Sequence, residues 1–288
     1  MAPQDYVGSY RLINLIRAGK TCEVWDVAND IKGERLAIKL LSGDAARNRE
    51  EVAYLKHEYQ VAHGLDHPNV IKIYGVGRDR DNFYLAMELF MAPNLKQLIH
   101  QGVDALAPIA AEFIRKAAEG LAYLHSKGWV HRDVKPDNFL LKPNCEVKLI
   151  DFALAVRRKT GLSRLLAVKT RIQGTRSYMS PEQIRGRPLD ERADIYSFGC
   201  MVYELLGGKP PFTGTSTNEL LNKHLRAPVP PPQAANRNIT DEFAALLRST
   251  MAKKPEERPP SMDDFLNELA VTPLFKIPPA VRKQHSPE

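Results

Sequence analysis

The stretch from His131 to Asp151 constrains this chain more than any other. It runs His131-Arg132-Asp133-Val134-Lys135-Pro136-Asp137-Asn138, then an apolar run at Phe139-Leu140-Leu141 and a turn at Pro143-Asn144. A second run, Val147-Lys148-Leu149-Ile150, ends at Asp151. Two short apolar runs about a turn form a hairpin, which can hold polar groups over a pocket. Asp133 can accept a proton, Lys135 can offset phosphate charge, and Asn138 with Asp151 offers the hard oxygen ligands that Mg²⁺ prefers. These are the parts needed to move a phosphoryl group.

The segments on either side suit such a site. Residues 10–16 and 23–28 read as strands joined by Arg17-Ala18-Gly19-Lys20-Thr21-Cys22. A loop that lays N–H groups over phosphates wants glycine, because a side chain blocks close approach. Gly19-Lys20-Thr21 imitates the end of a P-loop, but that motif needs glycine five positions earlier, where Asn14 stands. Residues 36–41 form a strand with Lys39 inside an apolar run, and a buried ammonium needs partners. Residues 45–63 read as helical, and 70–76 and 83–87 as two further strands. Between Glu88 and Asn94 periodicity stops at a proline, as expected of a hinge.

From Leu95 the pattern is helical. In residues 108–127, Ile109, Phe113, Ala117, Leu121 and Leu124 share one face. Residues 193–206 are apolar on most sides and belong at a centre, with Asp194 able to cap them. Further helices are expected at 217–225, 241–251 and 261–269, with a break at Pro228–Pro232. The organisation is α+β, in two lobes at about 10–90 and 94–270, followed by a proline-containing tail at 271–288 that extends along or away from the surface. No internal repeat occurs. Between Asp151 and Glu182 about thirty residues lack periodicity, and a loop that long is usually functional.

Composition excludes several classes. The chain has 288 residues, 26% charged and 43% hydrophobic, with net charge +7, and its pI near 9.2 favours anionic partners. Its three cysteines, Cys22, Cys145 and Cys200, are odd in number and lack paired spacing, against a disulfide framework or zinc site. Residues 1–10 do not read as a secretory signal, and no apolar run approaches the roughly 20 residues needed to cross a bilayer. A soluble, cytoplasmic chain is expected, or the cytoplasmic domain of a larger membrane-attached protein.

The order and spacing resemble the protein-kinase catalytic loop H-R-D-x-x-x-x-N followed by D-F-G, with Lys135 as in the serine/threonine version and Ala153 replacing the final glycine. Leu36-Ala37-Ile38-Lys39 resembles the V-A-I-K strand. The run from Gly174 to Glu182 resembles the substrate loop ending in A-P-E, with Ser180 replacing alanine. The resemblance, to eukaryotic-type (Hanks-type) serine/threonine protein kinase domains also found in bacteria, covers about residues 10–270.

It implies a bilobal protein-kinase-like fold, with a five-stranded antiparallel sheet plus one helix in the N-lobe and a mainly helical C-lobe. It implies ATP and Mg²⁺ as cofactors and Ser/Thr-containing proteins as substrates, with no nucleic acid beyond ATP. Lys39 would hold the α/β-phosphates and pair with Glu58, which stands ten residues before Pro68. Asp133 would orient and deprotonate the acceptor hydroxyl beside Lys135 and Thr175, while Asn138 and Asp151 hold Mg²⁺. Ile16, Gly19, Val24, Ala37, Lys39, Met87 and Leu140 would surround the nucleotide, with backbone groups of Glu88 and Phe90 at the adenine. Asn94 falls at the ribose position, or equally caps a helix.

Aligning Val24 with the last letter of G-x-G-x-x-G-x-V puts Arg17, Gly19 and Cys22 at the glycine positions. The segment after Asp151 would be the activation loop, with Thr170 the first choice for phosphorylation among Thr160, Ser163, Thr170, Thr175 and Ser177. Glu182 would pair with Arg258, and Asp194 would brace the catalytic loop. The alternative is a pseudokinase that binds nucleotide or a partner, suggested by the glycine-poor loop, Ala153, and Ala62 where the family places a larger apolar residue against Phe152. Alanine at positive φ would be strained by about 1 kcal/mol or more.

Overall fold

A computed structural model describes residues 6–158 and 173–280. The chain divides into two compact units, one of Met1–Ala92 with Ile150–Ala155 and the other of Pro93–Leu149 with Val156–Glu288.

The first unit is built on an antiparallel sheet of strands β1 (Tyr6–Val7), β2 (Tyr10–Ala18), β3 (Glu23–Asn29), β4 (Glu34–Leu41), β5 (Ile73–Asp79) and β6 (Asn82–Met87). Its order is β1-β2-β3-β4-β6-β5, six strands where five are expected from the sequence. The extra strand pairs Val7 with Tyr10, and Gly8 between them takes φ +61°. So short a hairpin leaves no alternation to detect. The fifth strand begins at Ile73 rather than Val70, because the Val70 N–H bonds the His67 carbonyl in a turn.

Alternation in β4 sorts side chains by face. Ile38 and Leu40 join Val7, Val27 and Ala86 in a buried cluster. Ala37 and Lys39 face the other way, and register places Val24 and Leu85 opposite Lys39 and Met87 opposite Ala37. Directly opposed residues share a face, so Val24, Ala37, Lys39 and Met87 are brought together. The helix expected at 45–63 is two, α1 (Gly43–Arg47) and α2 (Arg49–Ala62). Asn48 divides them in an extended conformation, its side chain accepting from the Glu50 N–H as an N-cap.

The second unit contains α3 (Leu95–Gln101), α4 (Ala110–Ser126), α5 (Pro181–Ile184), α6 (Glu191–Gly207), α7 (Thr217–Arg226), α8 (Pro232–Ala235), α9 (Asp241–Thr250) and α10 (Met262–Val271). It also carries two small ribbons, β7 (Trp129–Val130) with β10 (Val156–Arg157) and β8 (Phe139–Leu141) with β9 (Val147–Leu149). The apolar face of α4 is buried at Phe113, Ala117, Leu121 and Leu124, and α6 is buried from Ala193 to Leu206. Asp190, not Asp194, caps α6, accepting from the Arg192 N–H, since the helix starts earlier than its apolar run. The first part of the tail is docked: the Thr240 N–H bonds the Leu274 carbonyl and the Lys276 N–H bonds the Asn238 carbonyl. Among the described residues no helix is long and apolar enough to cross a membrane.

One buried cluster makes the second unit sensitive to acid. His224 on α7 is fully buried, with Nδ1 3.0 Å from the Tyr196 hydroxyl, while the Lys253 ammonium lies 4.2 Å from the Phe212 ring centroid. Burial first, and then Lys253, push His224 down from 6.5 to about 4, with a backbone contact at Ser177 opposing. The unfolded chain therefore takes up this proton before the folded one does. The stabilisation is present above about pH 6.5 and is lost as pH falls toward about 4, by up to about 3 kcal/mol. Urea midpoints measured from pH 7.5 to 4 should show that loss, and His224→Gln should remove its pH dependence.

Candidate functional site

The first unit supplies a cationic centre. On α2, Leu55, Glu58 and Ala62 lie on the buried face. The Lys39 Nζ donates to Glu58 Oε2 at 2.7 Å and to Asp151 Oδ1 at 3.5 Å. Burial alone would lower the Lys39 pKa, but the Asp151 and Glu58 carboxylates overcome it and raise it, keeping the ammonium charged. Burial pushes the Glu58 carboxyl up and Lys39 opposes it. Two carboxylates act together on Lys39, so the pair is held with the ammonium charged.

Asp151 takes φ +67° and Phe152 is fully buried. His57 Nε2 lies 2.7 Å from the Ala155 carbonyl and ties this short segment to α2. Ala153 is not among the residues at positive φ, so the strain anticipated there does not arise. In the β2–β3 turn the Gly19 N–H donates to the Cys22 carbonyl at 2.8 Å, and a Cβ at Gly19 would lie 2.8 Å from that oxygen. The retained glycine is thus the one the turn needs. A cavity of about 210 Å³ is lined by Cys22, Lys39, Tyr54, Glu58, Asp151 and Ala153.

The residues expected around a nucleotide are distributed as follows. Val24, Ala37, Lys39 and Met87 share the sheet face described above, and Ile16 is exposed at 38% on β2. Glu88 uses its N–H on the Lys72 carbonyl, and Phe90 is buried. Asn94 caps α3 in a capping box with Gln97, so its side chain is committed to the helix. In the second unit Asn94 and Leu140 meet through an isolated antiparallel bridge.

The second unit supplies a hydrogen-bonded carboxylate. Asp133 Oδ1 accepts from both the N–H and the hydroxyl of Thr175, each at 2.8 Å. Lys135 Nζ lies 2.6 Å from Asp133 Oδ2 and 2.8 Å from Thr175 Oγ1. The Asn138 amide nitrogen donates to the Asp133 carbonyl at 2.8 Å, which turns its amide oxygen to other use.

Asp194 holds this loop from below. Its carboxylate accepts the N–H groups of His131 and Arg132 at 2.7 and 2.8 Å and lies 2.9 Å from His125 Nε2. Burial would raise the Asp194 pKa, but His125 and His131 outweigh it and hold the group ionised. The expected brace is present.

Several supporting residues escape a reading of the sequence. Gln183 Nε2 donates to the carbonyls of Arg132 and Gln173 at 2.9 and 2.6 Å. Gly174, inside this clamp, takes φ +116°, and a Cβ there would lie 2.8 Å from Gln183 Nε2 and 2.9 Å from the Arg132 carbonyl oxygen. Glu204, 1% exposed, accepts from the Tyr178 hydroxyl and pairs with Lys96, each at 2.5 Å. A carboxylate inside so apolar a helix is a signal that partners exist. Glu182 and Arg258, by contrast, are the pair expected from the sequence, and they form a buried bidentate bridge at 2.7 and 2.8 Å. Thr160, Ser163 and Thr170, the loop positions expected to be modified, lie outside the described residues.

A family model described as the protein kinase domain matches residues 10–269. A probable serine/threonine-protein kinase of Streptomyces coelicolor is 35% identical over 268 residues, covering 91% of this chain and 40% of its own. Serine/threonine-protein kinase PknB of Mycolicibacterium smegmatis is 33% identical over 261 residues, covering 89% and 41%. Serine/threonine-protein kinase PrkC of Bacillus subtilis is 31% identical over 259 residues, covering 90% and 39%. The chain spans about two fifths of the length of these relatives.

The Glu182–Arg258 pair should be a principal support of the second unit. Removing one partner strands a buried charge, which costs about 3–5 kcal/mol. In urea unfolding, Arg258→Met should show a loss of that size, whereas Lys254→Met, at an exposed pair with Glu257, should move the midpoint little.

Proposed function

Because the chain belongs to the protein kinase domain family, we propose that it is an ATP- and Mg²⁺-dependent serine/threonine protein kinase. The observation that carries this reading is the triangle of Asp133, Lys135 and Thr175, with contacts of 2.6 to 2.8 Å. A carboxylate so held can orient an acceptor hydroxyl and take its proton as the oxygen attacks the γ-phosphorus. The bond from that phosphorus to the β–γ bridging oxygen breaks, leaving ADP and a phosphorylated Ser or Thr.

The donor chemistry fits the cofactors. ATP supplies the phosphoryl group, and Mg²⁺ offsets its charge. The amide oxygen of Asn138 and the carboxylate of Asp151 are the hard oxygens that would hold the metal. Lys39, kept charged by Glu58 and Asp151, would bind phosphate oxygens, and Lys135 would neutralise charge at the transferred group. Val24, Ala37 and Met87 would form an apolar seat for the base, with the turn at Gly19 above the phosphates. Glu88, Phe90, Asn94 and Leu140 would complete the nucleotide site, and Ile16 would border it.

Regulation through phosphorylation of the loop after Asp151 belongs to the same proposal, with Thr170 as first choice. So does action in a reducing, cytoplasmic setting, which the free thiols of Cys22, Cys145 and Cys200 favour.

With Mg²⁺, ATP and a general protein acceptor, wild type should transfer phosphate and Asp133→Asn should be slower by about 10²- to 10⁴-fold. The ATP-induced rise in melting temperature should persist in Asp133→Asn and fall in Lys39→Met. Equal rates in wild type and Asp133→Asn would sink the catalytic assignment. Mass spectrometry after incubation with ATP should find phosphate between Thr160 and Ser177, and an active preparation without it would refute the regulatory part.

A further inference from the structure

The positive charge of this chain is concentrated in one place. Residues 157–187 hold nine lysines and arginines against a single acid, Glu182, an excess larger than the net +7 of the whole chain. Glu182 is spent on Arg258 in a buried pair. In the described part of the segment beyond Gly174, the side chains of Arg176, Arg185 and Arg187 are exposed.

Arg176 is placed to meet an acceptor. It follows Thr175, whose N–H and hydroxyl both bond Asp133. It lies inside the turn closed by the Tyr178 N–H bonding the Thr175 carbonyl at 3.0 Å, and Tyr178 is itself anchored on Glu204. The backbone carrying Arg176 is thus fixed on both sides. Its guanidinium donates to the neutral Thr217 hydroxyl at 3.1 Å, and among the described residues no carboxylate is paired with it.

Four carboxylates of the second unit are matched with cations: Asp190 with Arg192, Glu191 with Arg158, Glu219 with Lys223 and Glu204 with Lys96. An acid brought by an acceptor would therefore meet a preformed cation with which none of these four carboxylates is paired.

We infer that Arg176, supported by Arg185 and Arg187, selects acceptor segments that carry Asp or Glu beside the Ser or Thr to be phosphorylated. This rests on the kinase reading above and specifies its substrate class as acidic protein segments. An acceptor hydroxyl delivered to Asp133 brings its flanking residues within reach of a guanidinium one position from Thr175, since consecutive Cα atoms are only about 3.8 Å apart. The interaction is a partly exposed, charge-assisted pair, so it sets substrate choice more than the rate of the chemical step.

The test uses three synthetic peptides with one central Thr, flanked by Glu, by Ala or by Lys, phosphorylated by wild type, Arg176→Glu and Arg176→Gln. Transfer to the Ala-flanked peptide, and its dependence on Asp133, judges the kinase reading separately. For wild type, kcat/KM should favour the Glu-flanked over the Lys-flanked peptide by about fivefold at low salt, the scale of one exposed ion pair. The difference should reside mainly in KM and shrink toward unity near ~0.5 M salt as the pair is screened.

Arg176→Gln should flatten the preference and Arg176→Glu should reverse it. Should Arg176→Glu fail to fold, Arg176→Gln decides alone. Transfer with no Glu-over-Lys preference, or with a preference indifferent to residue 176, overturns the inference while leaving the kinase reading intact. Transfer to none of the three overturns both.

Discussion

Arg132 adopts φ +70°, a conformation that costs a non-glycine residue about 1 kcal/mol, and it is kept there by Asp194. The two carboxylate oxygens take the N–H groups of His131 and Arg132, hydrogen bonds to a charged group worth about 1.5–3 kcal/mol each. Gln183 grips the carbonyl of the same arginine. With both sides of that residue held, the next one, Asp133, can point only where Thr175 and Lys135 meet it. The placement of Asp133 therefore depends on a buried helix start, transmitted through two peptide groups.

The first unit solves a different problem, which is to keep an ammonium charged out of water. Lys39 sits on a strand whose alternate residues, Ile38 and Leu40, are buried in an apolar cluster, so its place on the opposite face follows from the pleat. Glu58 reaches it from the third turn of α2 because it shares a helical face with Leu55 and Ala62. Small Ala37 beside Lys39 leaves that face low, and β-pairing lines up Val24 and Met87 around it. Backbone register, more than side-chain packing, assembles this set.

Most of both sets is legible in the order of the amino acids. Lys39 with Glu58, and Asp133 with Lys135, Asn138 and Thr175, stand at spacings that mean little singly and much in order, while the apolar period of α4 shows which face is buried and the all-round apolarity of α6 shows that it lies in a core. The extra strand at Tyr6–Val7 is not legible, being too short to have a period. Asn48 interrupts a helix through its own side chain, which propensity summed over a window does not register. Asp194 is suited by sequence both to cap α6 and to brace the loop, and does only the second, since Asp190 captures the cap four residues earlier. The Tyr178–Glu204–Lys96 set joins residues 26 and 108 positions apart, and no local pattern announces such a partnership.

Gly174 and Gln183 carry a consequence for how such a chain can diverge. With no room for even a methyl group at position 174, drift or directed evolution that touches this pair disturbs the backbone next to Asp133. Arg176, two residues along, is exposed and rests on the hydroxyl of Thr217. A position with no space for a side chain and a position with space for many therefore stand two residues apart, so sequence change at the second can leave the backbone held at the first undisturbed.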